Sequence, residues 1–200
     1  MPWRNIPEFV KTHLKPGKRP EVSRTLLEFI ILTACRSGEA RGMTWAELDL
    51  KNAIWTIPSE RMKAKLLYRI PLSPRALQIL EGQKDQHESL VFPSIRDQVE
   101  LSDMAITALL RRMKAPSDTP GRVATAHGFR SSFRDWCSEK GYSRDLAERS
   151  LAHTIKDKVE AAYHRTDLLE QRRELMDAWA AYVSGKPSFA DILAAHSKVK

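Results

Sequence analysis

The sequence predicts a mostly helical α+β domain with a small three-stranded antiparallel sheet. Three observations carry that reading. Apolar residues recur at helical spacing through most of the chain, a β-rich pattern appears only between residues 44 and 72, and proline or glycine marks several joints between segments. The 200 residues suffice for one domain with a sizeable core and little beyond it.

Residues 1–20 hold four prolines and the basic cluster Lys15, Lys18 and Arg19, and read as a linker with one short helix. From Glu21 onward, Leu26, Leu27, Ile30, Ile31 and Ala34 keep helical spacing. A second, short helix is expected from Ser37, a good N-cap residue, with Glu39 in its first turn. Residues 53–58 and 67–72 are rich in β-branched and aromatic side chains, with 44–50 as a weaker third strand and 59–65 as a basic hairpin tip.

The chain then returns to helix. Ser73-Pro74 opens a helix over 73–83, with serine as cap and proline at the first helical position. A helix over 102–114 ends in the basic run Arg111-Arg112-Met113-Lys114, and a loop over 115–126 follows. Helices are expected over 128–140, 144–152, 157–164 and 167–183, the last stopped by Ser184-Gly185. A tail over 188–196 carries Phe189, Ile192 and Leu193 on one face. No internal repeat or low-complexity tract is present.

Composition narrows the function. The chain is 42% hydrophobic and 29% charged, which suits a soluble globular protein. No apolar run approaches the roughly 20 residues that span a bilayer. The two cysteines, Cys35 and Cys137, have no partners at metal-ligand spacing, so a reduced, cytoplasmic setting is the expectation. A net charge of +8 and a pI near 9.6 favour a polyanionic partner, because each phosphate neutralised releases counterions.

The chemistry-bearing residues lie in four stretches: Thr33-Ala34-Cys35-Arg36-Ser37-Gly38-Glu39, the tip around Lys63, His127-Gly128-Phe129-Arg130, and the run from Leu151-Ala152-His153 to Tyr163. Taken singly, each has a plain structural alternative. Tyr163 could be a helix-surface tyrosine, since a phenol with a pKa near 10 is a weak nucleophile. His127 and Arg130, three apart, share a helix face opposite Phe129, Phe133, Trp136 and Cys137, and could be a surface pair. Arg36 could pair with Glu39 for stability alone, although a carboxylate that fixes a guanidinium also makes it a better phosphate clamp. Lys63 could be a solvated turn lysine, and Lys65 is close enough to take its place.

In order and at these intervals, the stretches resemble the tyrosine recombinase (phage integrase) family, and within it the prophage integrases of the P4 type, from about residue 2 to 185. The resemblance includes Ile57-Pro58-Ser59-Glu60-Arg61-Met62-Lys63 and Leu168-Leu169-Glu170-Gln171-Arg172-Arg173. It implies the family's catalytic-domain fold and a reaction in which Tyr163 attacks a DNA phosphate, becomes joined to the 3′-phosphate and frees a 5′-hydroxyl. Arg36 and Arg130 would clamp the non-bridging oxygens, and Lys63 would protonate the leaving oxygen. His127 would accept the phenol proton or bind phosphate, His153 would donate to the phosphate, and Glu39 would support Arg36.

No metal or other cofactor is implied, because two guanidiniums and a lysine balance the phosphate charge and the covalent intermediate preserves the bond energy. The implied partner is double-stranded DNA at attachment sites. The protein would be a monomer alone and a tetramer on DNA, acting at the nucleoid and not at a membrane. The chain departs from the pattern at Ala152, where glycine is commoner. It also departs in beginning almost at the catalytic part, so that 1–20 is read as a linker from a missing N-terminal core-binding domain, 21–185 as the catalytic domain and 186–200 as a tail helix. A catalytically silent DNA-binding remnant and a type IB topoisomerase-like enzyme are the alternatives.

Overall fold

The computed structural model describes residues 1–14, 21–153 and 166–186. Its axis is helix α2, Val22–Thr33, in which eight consecutive residues from Leu26 to Thr33 are buried. A helix apolar all round must be covered all round. It packs against α3 (Ser37–Arg41), α4 (Pro74–Glu81), α5 (Met104–Arg112), α6 (Ala126–Glu139) and α8 (Leu169–Val183). The one acidic residue on its buried stretch, Glu28, is neutralised by both forks of Arg75 at 2.7 and 3.0 Å.

The sheet has the order β1-β2-β3, with β1 at Leu48–Asp49, β2 at Ile54–Ile57 and β3 at Tyr68–Pro71, all antiparallel. Trp55 faces Ile70 in register, and Phe29 of α2 meets the Trp55 ring at 5.8 Å and Phe92 at 5.4 Å. The first strand is shorter than the expected 44–50 because Trp45–Glu47 form a 3₁₀ turn. That turn lets Glu47 accept a 2.8 Å hydrogen bond from the Trp55 indole and pair with Arg61. A polar need beats strand propensity here.

On the other side of α2, α6 and α8 are joined by aromatic rings. Trp179 lies 5.4 Å from Phe133 and 5.1 Å from Trp136, and its indole donates to the Ile31 carbonyl at 2.7 Å. Trp3 reaches the same cluster through Tyr182 at 5.5 Å. Residues 3–14, read from sequence as linker, run as successive helical turns, including α1 at Ile6–Phe9, and bury Ile6, Phe9, Val10 and Leu14. Pro7 sits in the first turn of α1, where its missing N–H is not needed.

The remaining helices lie within two residues of their expected limits, with α7 at Arg144–Ser150. The helix expected over 157–164 and the apolar stripe over 188–196 lie outside the described residues. No described helix is long and apolar enough to cross a membrane.

Candidate active site

Helix α2 is closed by Ala34, whose φ of 49° is left-handed, and α3 begins three residues later. The N-cap position is held by Arg36 and not by the expected Ser37. Glu39 explains the shift. Its Oε2 accepts from the Arg36 backbone N–H at 2.8 Å and its Oε1 takes the Arg36 guanidinium at 2.7 Å. One carboxylate therefore caps the helix and aims the arginine. The free fork of Arg36 donates to the Ala152 carbonyl at 3.3 Å.

Arg130 arrives at the same place from α6. That helix starts at Ala126, capped by Thr125, whose hydroxyl accepts from Gly128 N–H at 3.0 Å. Phe129, Phe133, Trp136 and Cys137 are buried as expected, and Arg130 is buried with them at 3% exposure. Its Nη1 donates to the Ala34 carbonyl and its Nη2 to the Leu151 carbonyl at 2.5 Å. Nη2 also lies 3.4 Å from Nε2 of His153, and Nε has no partner among the described residues.

His153 is held by its other nitrogen. Nδ1 is 2.5 Å from Oε2 of Glu148, whose Oε1 accepts from Arg134 at 2.7 Å. Burial opposes ionisation of Glu148, but the hydrogen bonds from Arg134 and His153 outweigh it and hold the carboxyl below its ordinary pKa. With Glu148 as acceptor the proton sits on Nδ1, and Nε2 is left facing Arg130.

Arg36, Arg130 and His153, from three distant stretches, thus meet on one turn, 151–153. Its geometry depends on Ala152, which like Ala34 is left-handed, at φ 49°. Burial lowers the Arg130 pKa, and the neighbouring charge of Arg36 lowers it further. Two guanidiniums, one of them paired with Glu39, leave a positive site that attracts an anion able to accept from both forks. Cys35, between Ala34 and Arg36, is pushed up to about 12 by burial and by Glu39, so it is no thiolate nucleophile at neutral pH.

The other expected residues stand apart from this cluster. His127, on the first turn of α6, is exposed and bonds none of the three. Lys63 is exposed in the loop between β2 and β3. Its neighbour Lys65 is tied back to the Glu60 carbonyl at 3.4 Å, which leaves Lys63 as the freer ammonium. Tyr163 lies outside the described residues. Sequence reasoning missed Glu148 and the carbonyls of Ala34, Leu151 and Ala152. Backbone acceptors leave no residue-type signal, and Glu148 is five residues from His153 across a helix end, a spacing with no facial signature.

The model for the phage integrase family matches residues 4–169. Prophage integrase IntA of Escherichia coli K12 is 35% identical over 181 residues, covering 89% of this chain and 43% of that protein. The integrase of Enterobacteria phage P4 is 32% identical over 200 residues, covering 92% and 45%. The chain therefore spans less than half the length of these relatives. Among solved structures, the Tn1549 transposon integrase in complex with a circular intermediate DNA aligns with a TM-score of 0.57 at 13% identity, covering 81% of this chain and 63% of that one. A lambda integrase dimer bound to a COC′ core site aligns at 0.55 and 19% identity, covering 82% and 58%. At such identities the structural likeness speaks for the fold.

Proposed function

The chain belongs to the phage integrase family, and from that premise we propose that it is the catalytic domain of a site-specific DNA recombinase, cutting and rejoining strands through a 3′-phosphotyrosine. The observation that carries the proposal is the convergence of Arg36 and Arg130 on neighbouring carbonyls beside His153. The two forks supply N–H donors where charge grows on the non-bridging oxygens as the phosphate becomes pentavalent. Glu39 sets the first fork and the Ala34 and Leu151 carbonyls set the second, so little reorganisation is needed when DNA binds.

The nucleophile is Tyr163. Thr166, three residues on, is anchored by Arg149, whose Nη1 donates to its carbonyl at 2.7 Å. The Arg149 end of α7 adjoins the 151–153 turn. His127 accepts the phenol proton or joins the phosphate ligands, and His153 donates to the phosphate. For that donation it must hold a proton on Nε2, the doubly protonated form against Glu148. Lys63 reaches the 5′-oxygen from its exposed loop and gives it a proton. The partner is duplex DNA, bound as a tetramer from monomers, in the cytoplasm of a bacterium.

The test is covalent capture with a pool of nicked duplexes of randomised sequence, read on a denaturing gel. Wild-type protein should give a protein–DNA adduct. Arg130→Lys, which loses the fork, should lower its rate by about 10²-fold or more. DNA binding without any adduct would reject the enzyme in favour of an inert binding module.

A further inference from the structure

The last carbonyls of a helix have no intrahelical donor and carry the negative end of its dipole. The last two carbonyls of α7 and the two that follow all lie within reach of a side-chain donor, the first two sharing a single phenol O–H. The Tyr68 hydroxyl lies 2.8 Å from both the Arg149 and Ser150 oxygens, Arg130 takes the Leu151 oxygen at 2.5 Å, and Arg36 takes the Ala152 oxygen at 3.3 Å. The first two of these positions belong to a residue that the reaction above does not use.

Tyr68 is itself locked in place. Its ring covers the guanidinium of Arg172 at 4.7 Å, and Arg172 is buried at 1% exposure. Arg172 donates to the Arg69 carbonyl and, at 3.2 Å, to the Asp167 carbonyl. Asp167 in turn is gripped by both forks of Arg69 at 2.9 and 2.8 Å. Burial pushes the Tyr68 phenol above its ordinary pKa, so it stays protonated and able to donate.

We propose that Tyr68, seated on Arg172, is a positioning residue for Arg36 and Arg130; this rests on the recombinase reading above. The Arg149 oxygen also accepts from the Ala152 N–H at 3.1 Å, so a hydroxyl that fixes the carbonyls of 149 and 150 holds the turn carrying those of 151 and 152, from which the two guanidiniums hang. The hydroxyl thereby sets where the forks stand relative to a phosphate, and displacements near 1 Å at such a site cost about 10²-fold in rate.

Tyr68→Phe keeps the ring on Arg172 and removes only the hydroxyl. With the duplex captured most efficiently from the randomised pool, the rate of adduct formation at saturating DNA should fall about tenfold, as the loss of one well-placed hydrogen bond implies. The Kd for the same duplex should change less than about twofold and the melting temperature by only a few degrees. In the DNA-free protein, the NMR signals of the Arg36 and Arg130 guanidinium N–H groups should shift or broaden. An unchanged rate with unmoved arginine signals overturns the proposal, as does a rate loss that merely follows loss of fold. If the wild-type protein forms no adduct while Tyr68→Phe still moves those signals, the positioning role stands and the recombinase reading fails.

Discussion

Arg36 and Arg130, from α3 and α6, donate to adjacent carbonyls of a single turn, those of Ala152 and Leu151. Arg36 is paired with Glu39 while Arg130 is held by neutral carbonyls alone, so the site keeps an excess of positive charge and a preference for an anion. Its parts can be perturbed one at a time.

Ala152 holds the turn in the left-handed region at φ 49°, where only a missing Cβ removes the strain. Ala152→Gly should stabilise the fold by roughly 0.5 kcal/mol, the relief being partly offset by greater freedom of the unfolded chain. Ala152→Val should cost at least about 1 kcal/mol, since a β-branched residue suits that conformation poorly. Urea unfolding of the three proteins gives the order; a valine variant as stable as the glycine one would contradict the turn.

The Arg134–Glu148–His153 chain makes stability depend on pH in a definite direction. The Glu148 carboxyl is held below its ordinary 4.5, so its contribution is complete above pH 4.5 and is lost as pH falls through the lowered value. Glu148→Gln should melt below wild type at pH 7, and the gap should close below pH 4.5. Melting curves from pH 7 to 3 decide it. A gap that is constant with pH would mean that the carboxylate charge plays no part.

Both thiols should be silent in the native protein. Cys35 and Cys137 are buried at 2% and 0% exposure, and burial pushes each up to about 12. A chromogenic disulfide reagent should titrate neither before unfolding and both of the two afterwards. Fast reaction of either native thiol would contradict the packing around the arginine turn or in α6.

Lys63 and Lys65 should separate cleanly. If Lys63 protonates the leaving oxygen, Lys63→Met should slow adduct formation by about 10²–10⁴-fold. A duplex with bridging sulfur at the 5′ position, whose thiolate leaves without a proton, should restore most of that rate. Lys65→Met should change little, because its ammonium is turned back to Glu60. No rescue by sulfur would remove Lys63 from the acid role.

The difference between what was legible in the sequence and what was not has a physical cause. α2 and the buried face of α6 were visible because their apolar spacing repeats over several turns. Arg36 and Glu39 stood out because a guanidinium at the end of a buried helix needs an acceptor, whereas Arg130 and His153 gained their roles only from the order of the motifs taken together. The partners themselves were hidden, since a carbonyl in a left-handed turn can belong to any residue, here two alanines. The N-cap fell one residue early because the reciprocal bond with Glu39 outweighs the capping preference of Ser37. The burial of Ile6, Phe9 and Val10 was obscured by prolines that in fact begin a helix.

The most direct test of the central claim is to digest the covalent adduct and locate the linked peptide by mass spectrometry. A 3′-phosphate joined to Tyr163, absent from the Tyr163→Phe variant, is the expected result. An adduct that survives Tyr163→Phe, or one linked to any other residue, would contradict the account.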